Sequence, residues 1–140
     1  YSCNPMSMAA GLATINYLNK NRDEIYQKIN ELGAKARAGL AKIFKEANID
    51  VQVTGEGSLF LTHFLNNKVR SISNAADVAM SDLGLLHRYH LGLIALHQIF
   101  FLPLKMGAIS SVHTEGDITH LLEATRLLVN SGILSSEKDS

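Results

Sequence analysis

The chain has 140 residues, of which 46% are hydrophobic and 19% charged, and this composition predicts a single soluble globular domain with a core of its own. Thirteen Lys and Arg residues balance thirteen Asp and Glu residues, so no basic field is available for a phosphate backbone and we expect no nucleic-acid partner. The only cysteine, Cys3, excludes an intramolecular disulfide and favours a reducing, cytoplasmic location.

The chain opens on YSCNPMSMAAGLATINYL, which has no initiating Met and no basic region of the kind that starts a signal peptide. We therefore expect it to continue from a longer polypeptide. Asn4 is a good N-cap and Pro5 suits the first helical position, so the pattern predicts a helix from about Met6 to Leu18. The small residues of this helix would let another backbone come close.

A long amphipathic helix is predicted next. Asn21 and Glu24 have the spacing of a capping box, and apolar residues then recur at steps of three and four from Ile25 to Ala47. Lysines and glutamates fill the opposite side, which predicts one buried and one solvated face.

Two strands and a turn are predicted in IDVQVTGEGSLFLTHFL. Val51 and Val53 alternate with polar neighbours, and residues 59–65 predict a strand with apolar side chains on both faces. The intervening TGEG predicts a tight turn, because a phosphate-binding loop would be followed by a Lys and a helix N-terminus.

The second half predicts a helix from Ser73 or Asn74 through Tyr89, followed by short strands in ALHQIFF and GAISSVH. The apolar run LGLIALHQIFFLPL is interrupted by polar residues and Pro103, and it is shorter than the roughly 20 residues of a membrane span. We therefore expect no membrane partner.

The last helix is predicted to start at Thr114, with Asp117 completing a capping box, and to end at residues 130–132. Its predicted buried stripe is Ile118, Leu121, Leu122, Thr125 and Leu128. Residues 135–140 are predicted to be a disordered tail. The order of the elements predicts an α+β fold with a small, mainly antiparallel sheet and helices packed on one face.

The six histidines could indicate a metal site, and His87 and His90 lie three residues apart on one predicted helical face. No carboxylate or cysteine stands beside them at a ligand-like spacing, so surface or interface roles are favoured and we expect no metal. His63 is predicted to be a hydrogen-bonded core or interface residue. His113 and His120 are predicted to have capping or surface roles.

No residue of this chain is predicted to be catalytic. The sequence contains no G-x-S-x-G nucleophile elbow, and no base is identifiable near Cys3. Lys105 stands out because it follows Pro103 in an otherwise apolar segment. Two interpretations remain open: a solvated loop lysine, or an ammonium aimed into a cleft where it holds a substrate carboxylate.

Four stretches resemble known segments, in the same order, over residues 1 to about 130. YSCNPMSMAAGLATINYL resembles the S-G-N-P-(L)-x-M-A-A-G-L-A-T segment of glutamate-1-semialdehyde 2,1-aminomutases and related class III aminotransferases. VTGEGSLFLTHF is similar to their G-x-G-S-[ML]-F strand, and FFLPLKMGAIS to their Y-L-A-P-S-x-F-E-A-G-F-x-S segment. SVHTEGDITHLLEATRLLV resembles their closing H-T-E-x-D-I-x-x-x-L-E-A segment.

This resemblance implies a fold-type I enzyme that uses pyridoxal 5'-phosphate (PLP), works as a homodimer, and acts on an amino acid or amino-aldehyde. Residues 1–134 would form its C-terminal small domain, with residues 1–20 as the helix that connects it to a missing large domain. The lysine that forms the Schiff base with PLP would lie in that large domain. The isolated chain is therefore expected to be inactive and to bind no PLP.

Ser2 and Asn4 match the family motif and, by resemblance, would lie near the loop that binds the cofactor phosphate. Cys3 replaces the Gly of the motif. The segment containing Lys105 is shorter than in the family and puts Lys105 or Met106 where the family has a Glu near the substrate pocket. Lys105 is therefore a candidate substrate-binding residue, and both mutase and aminotransferase activities stay open for the parent enzyme.

A second hypothesis from another class is a stand-alone interaction domain that binds a partner through its first helix. Under the first hypothesis, removal of the large domain should expose apolar faces of the first helix. We therefore expect the isolated chain to self-associate.

Overall fold

The computed structural model describes residues 4–134. The predicted site residue Ser2 and the predicted disordered tail, 135–140, lie outside the described residues. The helices and strands within them follow the order α1 (Pro5–Lys20), α2 (Arg22–Glu46), β1 (Val51–Thr54), β2 (Leu59–Phe64), α3 (Ala75–Met80), α4 (Leu83–His97), β3 (Gly107–Ala108) and α5 (Glu115–Asn130).

The described strands form one antiparallel sheet in the order β1-β2-β3, which together with the packed helices confirms the predicted α+β class. Strands β1 and β2 form a hairpin in which Val51 pairs with Phe64. The TGEG turn that joins them has Gly55 at φ 132° and Gly57 at φ 56°, where glycine meets little steric cost. The predicted tight turn is confirmed.

The core lies between the sheet and helices α2, α4 and α5. Phe44 of α2 makes edge-on ring contacts with Phe64 of β2 and Tyr89 of α4, at centroid distances of 5.4 and 5.6 Å. Helix α5 adds a buried stripe that matches the predicted one except at Leu122, which is half-buried, while Ala124 is buried instead. These contacts fix the sheet against the helices.

Helix α2 approaches the TGEG turn so closely that only glycine fits at position 33. A Cβ added to Gly33 would lie 2.0 Å from the carbonyl oxygen of Gly57. One helical turn later, Arg37 donates from Nη1 to the carbonyl oxygens of Gly57 and Leu59, at 2.7 and 2.8 Å. The helix thereby anchors the turn and the start of β2.

The one helix predicted between residues 73 and 89 is two helices, α3 and α4. Asn74 caps α3, as predicted. Asp82 caps α4 by accepting the Leu85 N–H at 2.8 Å, and its own N–H donates to the carbonyl oxygen of Phe64 at 2.9 Å. Because the Asp82 N–H is bonded to the sheet edge, it does not continue the ladder of α3 and the helix breaks there.

The strand predicted in ALHQIFF is wrong, since α4 continues through His97 and ends at Gln98, which has φ 57°. The strand predicted in GAISSVH is confirmed only at Gly107–Ala108. The chain turns after it because His113 Nδ1 accepts the Ser110 N–H at 3.0 Å, which ends the pairing with β2.

The capping box predicted at Asn21 and Glu24 is wrong. Asn21 is the residue between α1 and α2, and its amide donates back to the carbonyl oxygen of Tyr17 at 2.8 Å instead of accepting from α2. The N-cap at Asn4 is confirmed, because its Oδ1 accepts the Met6 N–H at 2.9 Å. Because Asn21 is the single residue between the two helices, its side chain caps the C-terminus of α1 and not the N-terminus of α2.

Candidate functional site

The candidate site is the turn Leu102–Met106, named here the Lys105 turn, which lies between α4 and β3. The N–H of Lys105 donates to the carbonyl oxygen of Leu102 at 3.0 Å, so the backbone folds back on itself at this point. The Lys105 side chain is exposed, in agreement with the solvated-loop interpretation for the chain by itself.

The middle of the Lys105 turn is bonded to a buried histidine of α4. His90 is 1% exposed, and its Nδ1 accepts the backbone N–H of Leu104 at 3.1 Å. The imidazole also stacks on Phe101, with centroids 5.0 Å apart and planes 20° apart. Leu104 has φ 62°, a left-handed conformation that is unfavourable for a residue with a side chain of this size.

Electrostatics fix the protonation of His90. Burial lowers the pKa of His90 to about 4, and the neighbouring His87 contributes in the same direction. The imidazole is therefore neutral near pH 7. Because Nδ1 accepts a hydrogen bond, the single ring proton is on Nε2.

The segment that carries the candidate lysine is rich in apolar side chains. Four of them are exposed by between 41% and 79% of their surface: Phe100, Leu102, Leu104 and Met106. Phe101, between the first two, is buried and contacts Phe60 of β2 at 5.8 Å. An ammonium with an apolar surround can hold an anion that has an apolar body.

Met106, the last residue of the turn, lines two cavities. One, of about 510 Å³, lies between the chain leading into β3 and the start of α5, and includes His113, Asp117 and His120. The other, of about 350 Å³, lies on the outer face of the sheet and includes His63. The Lys105 turn thus contributes Met106 to both concave surfaces, while Lys105 itself lines neither.

His63 is buried and hydrogen-bonded, which confirms its prediction as a core histidine. Its Nε2 lies 2.8 Å from the Thr54 Oγ1, and burial lowers the pKa of His63. Among the residues described, His63 Nδ1 is buried without a hydrogen-bond partner. The Thr54 hydroxyl is therefore the hydrogen-bond partner that fixes this imidazole.

The start of α5 carries the predicted capping box. The Asp117 carboxylate accepts from the N–H and the hydroxyl of Thr114, at 2.7 and 2.8 Å, and these bonds lower the pKa of Asp117. Beside it, Ser110 donates to His113, and His120 Nε2 bonds the carbonyl oxygen of His97 at 3.0 Å. Both histidines therefore have the local roles predicted for them.

No group of three or more His, Cys, Asp and Glu side chains suited to a metal ion occurs within residues 4–134. His87 and His90 do not act as a pair, because His87 is exposed while His90 is buried against the Lys105 turn. Between residues 4 and 134 the helices also lack the combination of length and apolar character needed to cross a bilayer.

Helix α1 is highly exposed. None of its residues is buried, Leu18 is half-buried, and five large apolar side chains are 57–80% exposed: Met6, Met8, Leu12, Ile15 and Tyr17. Asn4 bonds locally to Met6, and no hydrogen bond among the described residues links Asn4 to the Lys105 turn. The structure therefore keeps the two predicted sites, Asn4 and Lys105, on separate elements.

The role of His90 was not predicted from the sequence. The pattern placed His90 on a helical face beside His87, but its partner Leu104 is fourteen residues away on a turn that has no local signature. The one available signal was the high apolar content around His90, which indicates burial and hence a need for a hydrogen-bond partner.

Comparisons with known proteins support the resemblance read from the four motifs. The chain is 37% identical over 123 residues to "Glutamate-1-semialdehyde 2,1-aminomutase 2" of Lachnoclostridium phytofermentans, covering 86% of this chain and 28% of that protein. It is 34% identical over 127 residues to a glutamate-1-semialdehyde 2,1-aminomutase of Thermus thermophilus, covering 89% of this chain and 29% of that protein. No protein-family model matches the chain.

Solved structures show the same fold. The chain superposes on an omega-transaminase from Sphaerobacter thermophilus with a TM-score of 0.71 and 26% identity, covering 91% of this chain and 28% of that one. A β-phenylalanine aminotransferase from Variovorax paradoxus gives a TM-score of 0.64 and 27% identity, over 75% of this chain and 24% of that one. The chain thus spans little more than a quarter of the relatives it matches.

Proposed function

We propose that this chain is the small domain of a PLP-dependent aminomutase or aminotransferase, because it is homologous to the C-terminal part of glutamate-1-semialdehyde 2,1-aminomutases. Residues 1–134 would form that domain and residues 1–20 its connection to a large domain. One observation carries the proposal: the homology covers 86–89% of this chain but only 28–29% of the relatives. The chain would wall one side of the substrate pocket and contribute to a homodimer.

The exposure of the lysines supports an active site whose Schiff-base lysine comes from another part of the polypeptide. The seven lysines within residues 4–134 are all exposed: Lys20, Lys28, Lys35, Lys42, Lys45, Lys68 and Lys105. A lysine that forms a Schiff base works best when it is desolvated, so that its amine is neutral. We infer that the Schiff-base lysine lies in the large domain and that this chain is not catalytic alone.

The N-terminus of α1 fits the edge of a phosphate site. Asn4 caps a helix of 16 residues, and the free N–H groups and dipole at such an end favour a phosphate group. We propose that Asn4, with Ser2, lies near the cofactor phosphate in the parent enzyme. When bound there, PLP would supply an electron sink for carbanions formed at the amino carbon of the substrate.

Lys105 is the proposed substrate-binding residue. It is exposed on a segment that also exposes Leu104 and Met106, at the position where the resemblance places a Glu or the residue next to it. A positive charge there would hold a substrate carboxylate and leave the apolar side chains to contact the carbon skeleton. The substrate would therefore be an amino acid or amino-aldehyde that carries a carboxylate.

The exposed apolar face of α1 supports a docking role. Side chains such as Met6 (80% exposed) and Leu12 (60%) would be covered by the large domain or the second subunit. The same face would serve a stand-alone interaction domain, which is the competing function. We also expect a cytoplasmic location, because a chain with a single cysteine forms no internal disulfide and is typical of a reducing compartment.

The test is to purify the polypeptide that carries this chain from its source and to record its absorption spectrum with and without candidate amino acids. The proposal predicts a PLP absorption band that changes when an amino substrate is added. A Lys105→Glu variant should lose affinity for the carboxylate-bearing substrate, and Lys68→Glu, a change at an exposed lysine of another loop, is the control. A colourless polypeptide that does not respond to PLP would favour the interaction domain.

A further inference from the structure

We infer that His90 is a positioning residue, whose imidazole holds the Lys105 turn in one conformation and so sets where the Lys105 ammonium stands. The claim about the conformation of the turn stands on the structure of this chain alone. The claim that this position matters to a substrate rests on the proposed function.

The Lys105 turn needs a hydrogen-bond partner from outside itself. Leu104 adopts φ 62°, which residues other than glycine, asparagine and aspartate rarely adopt. Within the turn, the Lys105 N–H bonds the Leu102 carbonyl oxygen, but this bond leaves the Leu104 N–H without a partner in the turn. His90 supplies that partner, with Nδ1 at 3.1 Å from the Leu104 nitrogen.

The imidazole of His90 is itself held in place by the packing around it. It lies on α4, next to Tyr89 of the central core, and it is 1% exposed. Phe101, which is 8% exposed, stacks on the ring from the chain that leads into the turn. The imidazole therefore has little freedom to rotate, and its Nδ1 presents a fixed acceptor to the turn.

The backbone conformation at Leu104 influences where the Lys105 ammonium lies. Lys105 follows Leu104 directly, so the direction of the Lys105 Cα–Cβ bond depends on the backbone conformation that His90 fixes. Lysine has a flexible four-carbon stem, and fixing its base narrows the region that the ammonium samples. If the turn were released, the Lys105 ammonium would sample a larger volume but would keep its charge.

The direct experiment measures hydrogen exchange of the Leu104 amide in the 140-residue chain. His90→Phe retains an aromatic ring against Phe101 but removes the acceptor, and His90→Asn retains an acceptor atom, Oδ1, at the place of Nδ1 but removes the ring. We expect Leu104 to exchange at least tenfold faster in His90→Phe. In His90→Asn its rate should stay within threefold of the unchanged chain.

Two references separate local release from general unfolding. The Leu65 N–H, which donates to the Asp50 carbonyl oxygen at 2.8 Å at the other end of the sheet, should exchange at an unchanged rate in His90→Phe. His87→Phe, at an exposed position of the same helix, should leave Leu104 unchanged. Equal acceleration of Leu104 and Leu65, or no acceleration of Leu104, would overturn the inference.

A kinetic cycle then tests the consequence in the full polypeptide that carries this chain. His90→Phe should raise KM for a carboxylate-bearing amino substrate about fivefold with a smaller effect on kcat, and it should have no further effect in a Lys105→Met background. If Leu104 exchanges faster in His90→Phe but the kinetic effects of His90→Phe and Lys105→Met are additive, His90 positions the turn and the proposed substrate role of Lys105 is overturned.

Discussion

The Tyr89 hydroxyl and the Thr125 hydroxyl lie 2.8 Å apart in the core, where they join α4 to α5. Thr125 also lies 2.8 Å from the Leu121 carbonyl oxygen and must donate its one proton there. Tyr89 is therefore the donor to Thr125. Burial raises the pKa of Tyr89, which keeps this donor protonated throughout the ordinary pH range.

This direction of donation predicts unequal mutational costs. Tyr89→Phe removes the donor and should lower the free energy of unfolding by about 1 kcal/mol, whereas Thr125→Val leaves the Tyr89 hydroxyl buried without an acceptor and should cost about 2–3 kcal/mol. The double variant should cost less than the sum. Urea unfolding of the three variants tests this, and equal single costs with strict additivity would contradict it.

The contact between α2 and the TGEG turn predicts that Gly33→Ala is strongly destabilising. The new Cβ would lie 2.0 Å from the Gly57 carbonyl oxygen, so the helix or the turn must move. We expect a loss of about 2 kcal/mol or more in the free energy of unfolding. Gly11→Ala is the matched control, because nothing lies within 4 Å of its Cβ, and its unfolding midpoint should not fall.

The neutral state of His90 predicts how stability depends on pH. Its pKa is about 4 in the folded chain against an ordinary value of 6.5, so the unfolded chain binds more protons between these pH values. The stabilisation is fully present above pH 6.5, is lost as the pH falls toward 4, and amounts to at most about 3 kcal/mol. The lowered pKa of His63 acts in the same direction.

Urea unfolding at several pH values between 4 and 7.5 checks this dependence. The slope of unfolding free energy against pH should be positive in that window and should be smaller in His90→Phe. Identical slopes in the two proteins would show that His90 does not contribute to it.

The exposure of α1 predicts that the isolated chain self-associates at micromolar concentration. Leu12→Glu combined with Ile15→Glu places two charges on side chains that are 60% and 57% exposed, and this double variant should be monomeric. Val112→Glu, at a position 81% exposed outside α1, should associate like the unchanged chain. Light scattering measures all three, and a monomeric unchanged chain would refute the prediction.

Local signals in the sequence predicted the elements that depend on near neighbours. Asn4, Asn74 and Thr114 each directly precede a helix, and each caps that helix as predicted. Asn21 is also an Asn and has Glu24 three residues after it, but it lies directly after α1, so its amide bonds back to α1. The identity of a cap therefore depends on what precedes it as well as on its own pattern.

The Lys105 turn could not be predicted in the same way. Its conformation depends on a hydrogen bond between Leu104 and His90 across fourteen residues, and on the stacking of Phe101 on the same ring. The apolar run that suggested a strand in ALHQIFF is half the end of α4 and half the entry to this turn. Periodicity does not distinguish these cases in so short an apolar segment.

The size of the endogenous polypeptide that carries this chain tests the central claim most directly. An antibody raised against the 140-residue chain would detect that polypeptide in a denaturing gel, and mass spectrometry would then give its length. We expect a product about three times as long, because 123 residues of this chain align with only 28% of the aminomutase of Lachnoclostridium phytofermentans. A product of about 140 residues would contradict it, because such a molecule would lack the Schiff-base lysine of a large domain.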